Sequence, residues 1–257
     1  MNKKNLFFIV IIGAVSFFLW FFSYKKAVST HVQDSIIVGT NSEFPPFSFR
    51  EDGVLVGFDI DVINEVARRL KKEIIFKDLP FETLLPEIQL GTIHVIAAGI
   101  SPTPERSAVV FFTEQLFHGS PLTIVTLKDR STIVSTNDLA GKIVAVNEGY
   151  FSDLYMSQRE DVTLYRIASS LISEGLLALE SGRADAFIAS YASLQPFFKQ
   201  DLAQKFLMHP IVGTDEQDAL AVSKKHPELF SLIEQIITAM KNDGFLDQLK
   251  GKWFHHD

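Results

Sequence analysis

The chain of 257 residues contains no cysteine. Disulfides, thiolate catalysis, cysteine-based zinc sites and a lipidated-cysteine anchor are therefore excluded. Basic residues are also scarce, with 24 Lys and Arg against 31 Asp and Glu. Four of those lysines (Lys3, Lys4, Lys25 and Lys26) fall within residues 1–29, which hold no acid, so the remainder carries 20 bases and a formal charge of −11. Sequence-independent nucleic-acid binding needs a basic surface that displaces counterions, and this composition does not supply one. There is no HExxH motif, no phosphate-binding glycine loop and no Ser-His-Asp order. The seven histidines include the terminal pair His255-His256 but show no metal-ligand spacing, so neither a metal nor a cofactor is expected. Low-complexity tracts and strict short repeats are absent as well.

Apolar residues, by contrast, are plentiful at 47 %, enough for a sizeable core. An uncharged run from Leu6 to Phe22 follows Lys3 and Lys4 and reads as a targeting segment. It exceeds a usual signal-peptide core and falls at the short end of a membrane span. Ala27-Val28-Ser29 offers small residues for cleavage after Ser29, whereas Lys25 and Lys26 leave an uncleaved anchor as the alternative. On either reading residues 1–29 stand outside the fold, and the rest is expected in the periplasm or on the extracytoplasmic face of the inner membrane.

Beyond residue 29, short apolar runs alternate with helical periodicity, which predicts an α/β protein with largely parallel sheets. Ile36-Ile37-Val38 is a strand, and Asp59 is placed to cap a helix whose Ile60, Ile63, Val66, Ala67 and Leu70 share a face. Ile74–Phe76 is the next strand, and a helix through Leu84 and Ile88 stops at Gly91. Val95-Ile96-Ala97 then leads into a loop of small residues. A second set repeats this logic: strands near Leu122–Val125, Ile143–Val146 and Asp185–Ile188, with helices around 171–180 and 191–198. The chain then returns through Ala219–Val222 and a helix over 227–242.

The loop after Ala97 reads Ala98-Gly99-Ile100-Ser101-Pro102-Thr103-Pro104-Glu105-Arg106. A guanidinium forms two parallel hydrogen bonds with a carboxylate, Gly99 lets backbone amides approach the same anion, and Ser101 adds a hydroxyl. The plainer reading makes Arg106 a solvated residue in the first turn of a helix opened by Pro104. After Gly149, backbone N–H groups at a helix N-terminus are a second place for an anion.

Two further segments, Gly39-Thr40-Asn41-Ser42-Glu43-Phe44-Pro45-Pro46-Phe47 and Gly57-Phe58-Asp59-Ile60-Asp61, complete a pattern with the arginine loop, Ser181-Gly182-Arg183-Ala184-Asp185-Ala186 and the closing Asp243–Phe254. Together they resemble the family-3 extracellular solute-binding proteins, the polar amino-acid-binding proteins of ABC importers, over roughly residues 35–255. The resemblance implies a two-lobed periplasmic-binding-protein fold of type II. Lobe 1 comprises 35–116 and 219–257, lobe 2 comprises 122–211, and crossings lie near 117–121 and 212–218. It implies a monomeric, non-catalytic receptor that closes on a small amino acid and delivers it to an ABC permease in the membrane.

Carried over residue by residue, the resemblance assigns Gly99, Ser101 and Arg106 to a carboxylate clamp. Phe44 becomes an aromatic stacking on the ligand, Phe81 a second apolar wall, and Asn41 a reader of the ligand side chain. Otherwise, the two phenylalanines are core and Asn41 stabilises a turn. The pattern departs from the family in lobe 2. Ser190 stands where an aspartate usually holds the ligand ammonium, and Gly149 is followed by Tyr150 and Phe151 instead of threonines. Glu148 is the first substitute carboxylate, with Glu43 and Asp153 behind it; as surface acids they would do nothing of the kind. Two alternatives remain, a cleft enzyme resembling cyclohexadienyl dehydratase, and a surface or sensory binding protein.

Overall fold

The computed structural model describes residues 35–130, 132–198 and 204–254. The targeting segment at 1–29 and the His255-His256 pair lie outside the described residues. Two five-stranded sheets organise the chain. In the first, β1 (Ser35–Thr40) pairs in parallel with β5 (Glu73–Asp78) and β6 (Val95–Ile96), whereas β13 (Ala221–Ser223) adds antiparallel to β6 and β7 (Val110–Phe112) antiparallel to β13. A small antiparallel sheet of β2 (Glu43–Phe44), β3 (Ser48–Glu51) and β4 (Val54–Val56) hangs beside it.

The second sheet has the order β10 (Thr163–Ile167), β9 (Ile143–Asn147), β11 (Ala186–Ser190), β8 (Phe117–Leu127), β12 (Phe206–Asp218). Again three strands are parallel and the last two antiparallel. Each sheet is therefore mixed rather than mostly parallel. The βαβ units within a lobe add strands in parallel, but a strand arriving from the other lobe enters from the opposite end and pairs antiparallel.

Helix α1 (Phe58–Leu70) buries Phe58, Val62, Ile63 and Val66 against the first sheet, as its 3.6-residue apolar spacing requires. Helix α2 (Phe81–Leu90) ends on Gly91 in the left-handed conformation, φ 87°. The turn α3 (Pro104–Ser107) carries Arg106. In the second lobe α4 (Phe151–Met156), α5 (Ile172–Glu180) and α6 (Tyr191–Phe198) flank the sheet, and α7 (Pro227–Asn242) and α8 (Phe245–Trp253) close the first lobe. Among the described residues, the first lobe has one apolar cluster and the second has two, one on each face of its sheet, around Phe187 and around Ile188. Tyr150 and Ala192, from the second lobe, belong to the first lobe's cluster, which marks where the lobes meet.

Asp59 does not cap α1, whose N-cap is Gly57 with no side-chain bond. It sits one residue inside the helix, fully buried, and accepts a 2.7 Å bond from the Gly99 amide. Asp61 faces outward and receives Lys252 Nζ at 2.7 Å and Trp253 Nε1 at 2.8 Å, tying α1 to α8.

Candidate functional site

Arg106 is held before it can act. Thr103 caps α3 by accepting the Arg106 amide at 3.2 Å, and Pro104 begins the turn with its φ already helical. The guanidinium is buried, not solvated. Nη1 donates to the Ser101 carbonyl at 2.8 Å in its own lobe, and Nη2 donates across the boundary to the Gly149 carbonyl at 2.8 Å. Its ζ carbon lies 5.6 Å from the Phe81 ring centroid. Burial depresses its pKa to about 10 against the opposing pull of Glu216.

Glu216 is the candidate site residue that sequence reasoning missed. On β12 it lies opposite Ser120 of β8, and Ser190 ends the neighbouring strand β11 opposite Leu122. Residues opposed in an antiparallel pair share a face, so this register brings Ser120 and Glu216 together. The Ser120 and Ser190 hydroxyls are 2.9 Å apart, and Ser120 Oγ accepts the Ala192 amide at 2.8 Å. Glu216 is half-buried as a residue, but its carboxyl is withdrawn from water. Desolvation raises its pKa to about 7, with the Ser190 hydroxyl and the Arg106 charge offsetting part of that rise.

The acids named from sequence are placed differently from Glu216, and Glu43 is the one that lines a boundary cavity. Glu148 and Glu43 are exposed. Asp153 is committed to the Gly149 amide at 3.0 Å, Arg166 Nε at 2.9 Å and the Ser157 hydroxyl at 3.1 Å. The Gly149 amide is thus spent inside lobe 2, and its carbonyl, not its N–H, faces Arg106. Phe151 is half-buried and packs on the lobe 2 cluster around Ile188, away from Arg106. Asn41 is buried with its side chain turned to the backbone, donating to Leu79 O at 3.1 Å and accepting from the Glu43 amide at 3.3 Å. Ser101 meets Arg106 through its carbonyl.

Gly99 has φ 62°, and a Cβ there would approach Phe44 Cε1 to 2.5 Å, so only glycine fits under that ring. Its amide is engaged by Asp59. The buried carboxyls of Asp59 and Asp218 contact one another. Two carboxylates have no hydrogen to share, so one retains its proton. Burial first, and Asp59's charge second, push Asp218 well above the usual carboxylate range, and the pair holds the proton between them.

Phe44, Phe81 and Tyr150 form the aromatic part of the boundary, and all three are buried. The Tyr150 ring stacks on Phe81 with centroids 4.1 Å apart at 24°, and lies 4.9 Å from Phe44 at 58°. Beside them opens a cavity of about 330 Å³ lined by Glu43, Asp78 and Glu82 of lobe 1 and Ser169 and Ser170 of lobe 2.

A model of the bacterial extracellular solute-binding proteins, family 3, matches residues 36–256, which span both sheets. The chain belongs to that family. Among its relatives as a family-3 protein is the arginine-binding extracellular protein ArtP of Bacillus subtilis (strain 168), 25% identical over 252 residues that cover 98% of each chain. The solved structure of the P235GK mutant of ArgBP from T. maritima is similar at TM-score 0.79 and 33% identity, covering 88% of this chain and 97% of that one. The ancestral amino acid-binding protein AncCDT-1, a precursor of cyclohexadienyl dehydratase, is similar at TM-score 0.76 and 29% identity, covering 86% and 96%.

Proposed function

We propose that this solute-binding protein takes one amino acid between its lobes and delivers it, outside the cytoplasmic membrane, to the permease of an ABC importer. The observation that carries this reading is a pair of opposite charges withdrawn from water, Arg106 and Glu216. They feel each other's field, yet Arg106 spends its hydrogen bonds on carbonyls instead of closing an ion pair. A zwitterion complements that arrangement: its carboxylate takes the fork of Arg106 and its ammonium takes Glu216. Matching both charges removes the cost that either would incur if left buried and unpaired. Ser120 and Ser190 complete the ammonium side, the Ala192 amide holding the Ser120 hydroxyl within hydrogen-bond distance of Ser190.

Glu43 and Glu82 at the cavity rim favour a polar side chain, a cationic one first, in keeping with the arginine named for ArtP and ArgBP. Strands β8 and β12 serve as the hinge, with crossings at 117–121 and 212–218 between lobes of 35–116 plus 219–257 and 122–211. The receptor acts as a monomer, and its N-terminal segment is either removed or kept as an anchor. Thermal unfolding with a panel of amino acids tests the reading, since a ligand of the folded state raises the midpoint by mass action. No shift with any of them contradicts it.

One observation favours a second reading, catalysis on the same scaffold. A carboxyl poised near neutrality beside a carboxylate-binding arginine is what a dehydratase of cyclic carboxylic acids needs as proton donor. Loss of water from a cyclohexadienyl carboxylate, followed by absorbance, is the check; no turnover by a chain that binds amino acids sets this reading aside.

A further inference from the structure

Basic residues gather at the end of lobe 2 that lies farthest from Arg106. Strand β8 starts at Phe117, packed on the lobe 1 core, and ends at Leu127, roughly 30 Å away at about 3.3 Å per residue. Strand β11 runs antiparallel to β8 and parallel to β9, so the first residues of both, Ala186 and Ile143, lie at the same far edge as Leu127. The loops leaving that edge enclose two cavities that share Leu127 and Arg130 as a common wall. The smaller, of about 160 Å³, carries Arg130, Thr132, Lys142 and Asp185. The larger, of about 500 Å³, adds Lys128, Asp129, Glu180 and Lys205.

The acids of this edge are engaged, and three of its bases are not. Glu180 pairs with Lys205 at 3.0 Å, and Asp185 Oδ2 accepts the Ile143 amide at 2.8 Å. Asp129 comes no nearer to Arg130 than 3.9 Å, with both side chains largely in water. Among the described residues, no carboxylate pairs with Lys128 or Lys142. Lys142 is half-buried, and a charge drawn part-way out of water without a partner destabilises the fold. Two cations against one carboxylate leave the smaller cavity net positive, in a chain that is acidic overall. An arginine fork, a lysine point charge and a threonine hydroxyl are a donor set that fits the oxygens of a phosphate.

We propose that the far edge of lobe 2 holds a second binding site, for a phosphate group seated against Arg130, Lys142 and Thr132. Free phosphate needs only the smaller cavity, whereas the larger one beyond Arg130 has room for the organic part of a phosphomonoester. The site does not depend on what binds between the lobes.

Calorimetry and thermal unfolding of the full chain in phosphate-free buffer test this, with inorganic phosphate and glycerol 3-phosphate as probes. Saturable binding and a raised midpoint are expected, whereas potassium chloride at the same ionic strength gives neither. Tighter binding of glycerol 3-phosphate assigns the site to phosphomonoesters; equal or tighter binding of phosphate assigns it to the free ion. Arg130→Gln and Lys142→Gln are each expected to weaken binding about tenfold, since each removes a charge-assisted hydrogen bond. Arg130 is exposed, so its variant keeps the test even where Lys142→Gln fails to fold. No binding of either probe, a midpoint shift that chloride reproduces, or unchanged affinity in Arg130→Gln overturns the proposal.

Discussion

Arg106→Ala is expected to weaken ligand binding by at least about 2 kcal/mol with the fold retained, the cost of removing a charged partner from an enclosed carboxylate. Calorimetry on the folded mutant checks it, and unchanged affinity would take Arg106 out of the site. Glu216 makes a pH prediction. Its carboxyl titrates at about 7 without ligand and must be ionised to hold an ammonium, so binding releases a proton below that pH. Affinity should therefore rise about tenfold per pH unit between pH 5 and 7 and level off above, with the slope lost in Glu216→Gln. A wild-type affinity flat across that range contradicts the assignment. Arg106 was legible from its loop because Gly99, Ser101 and Pro104 are local in sequence. Glu216 was not, since the register of β8 with β12 and not any spacing brings it to Ser120 and Ser190. No alternation signalled it either, because the pairing of β12 with β8 shifts register between Glu216 and Gln217.

At the scale of elements, the Asp59–Asp218 contact fastens the N-terminus of α1 to the end of β12, and Asp59 in turn holds the Gly99 amide. Both carboxyls are raised above the ordinary value of 3.8, so the folded chain binds more protons than the unfolded one. Their contribution to stability is whole at acid pH and is lost as pH climbs from about 4 through the folded values. Asp218→Asn keeps a donor for Asp59 without titrating. Its thermal midpoint at about pH 8 is expected to exceed that of the wild type, with a smaller fall between about pH 4 and 8. A lower midpoint with an unchanged slope would contradict the shared proton. Most elements were legible from periodicity, α2 and its Gly91 stop among them. Asp59 was misread as a cap because an acid at a helix start has that common use, and its burial depends on β12, 159 positions downstream.

Across the whole molecule, the alternation of strands and helices announced the α/β class, and the ordered motifs suggested two lobes. The mixed sheets were hidden because strand direction follows from where the chain crosses, which periodicity does not encode. The targeting segment predicts that residues 30–257 are exposed outside the cytoplasmic membrane. Protease accessibility in spheroplasts checks this, and a protected cytosolic protein would contradict the importer reading. The central claim is that the boundary grips both charges of an amino acid. Calorimetry with L-arginine, agmatine, which lacks the carboxylate, and 5-guanidinovaleric acid, which lacks the amine, tests it most directly. L-arginine is expected to bind, and each analogue to bind at least about thirtyfold more weakly, the equivalent of roughly 2 kcal/mol. Equal affinity for L-arginine and either analogue would mean that Arg106 and Glu216 do not hold the two charges.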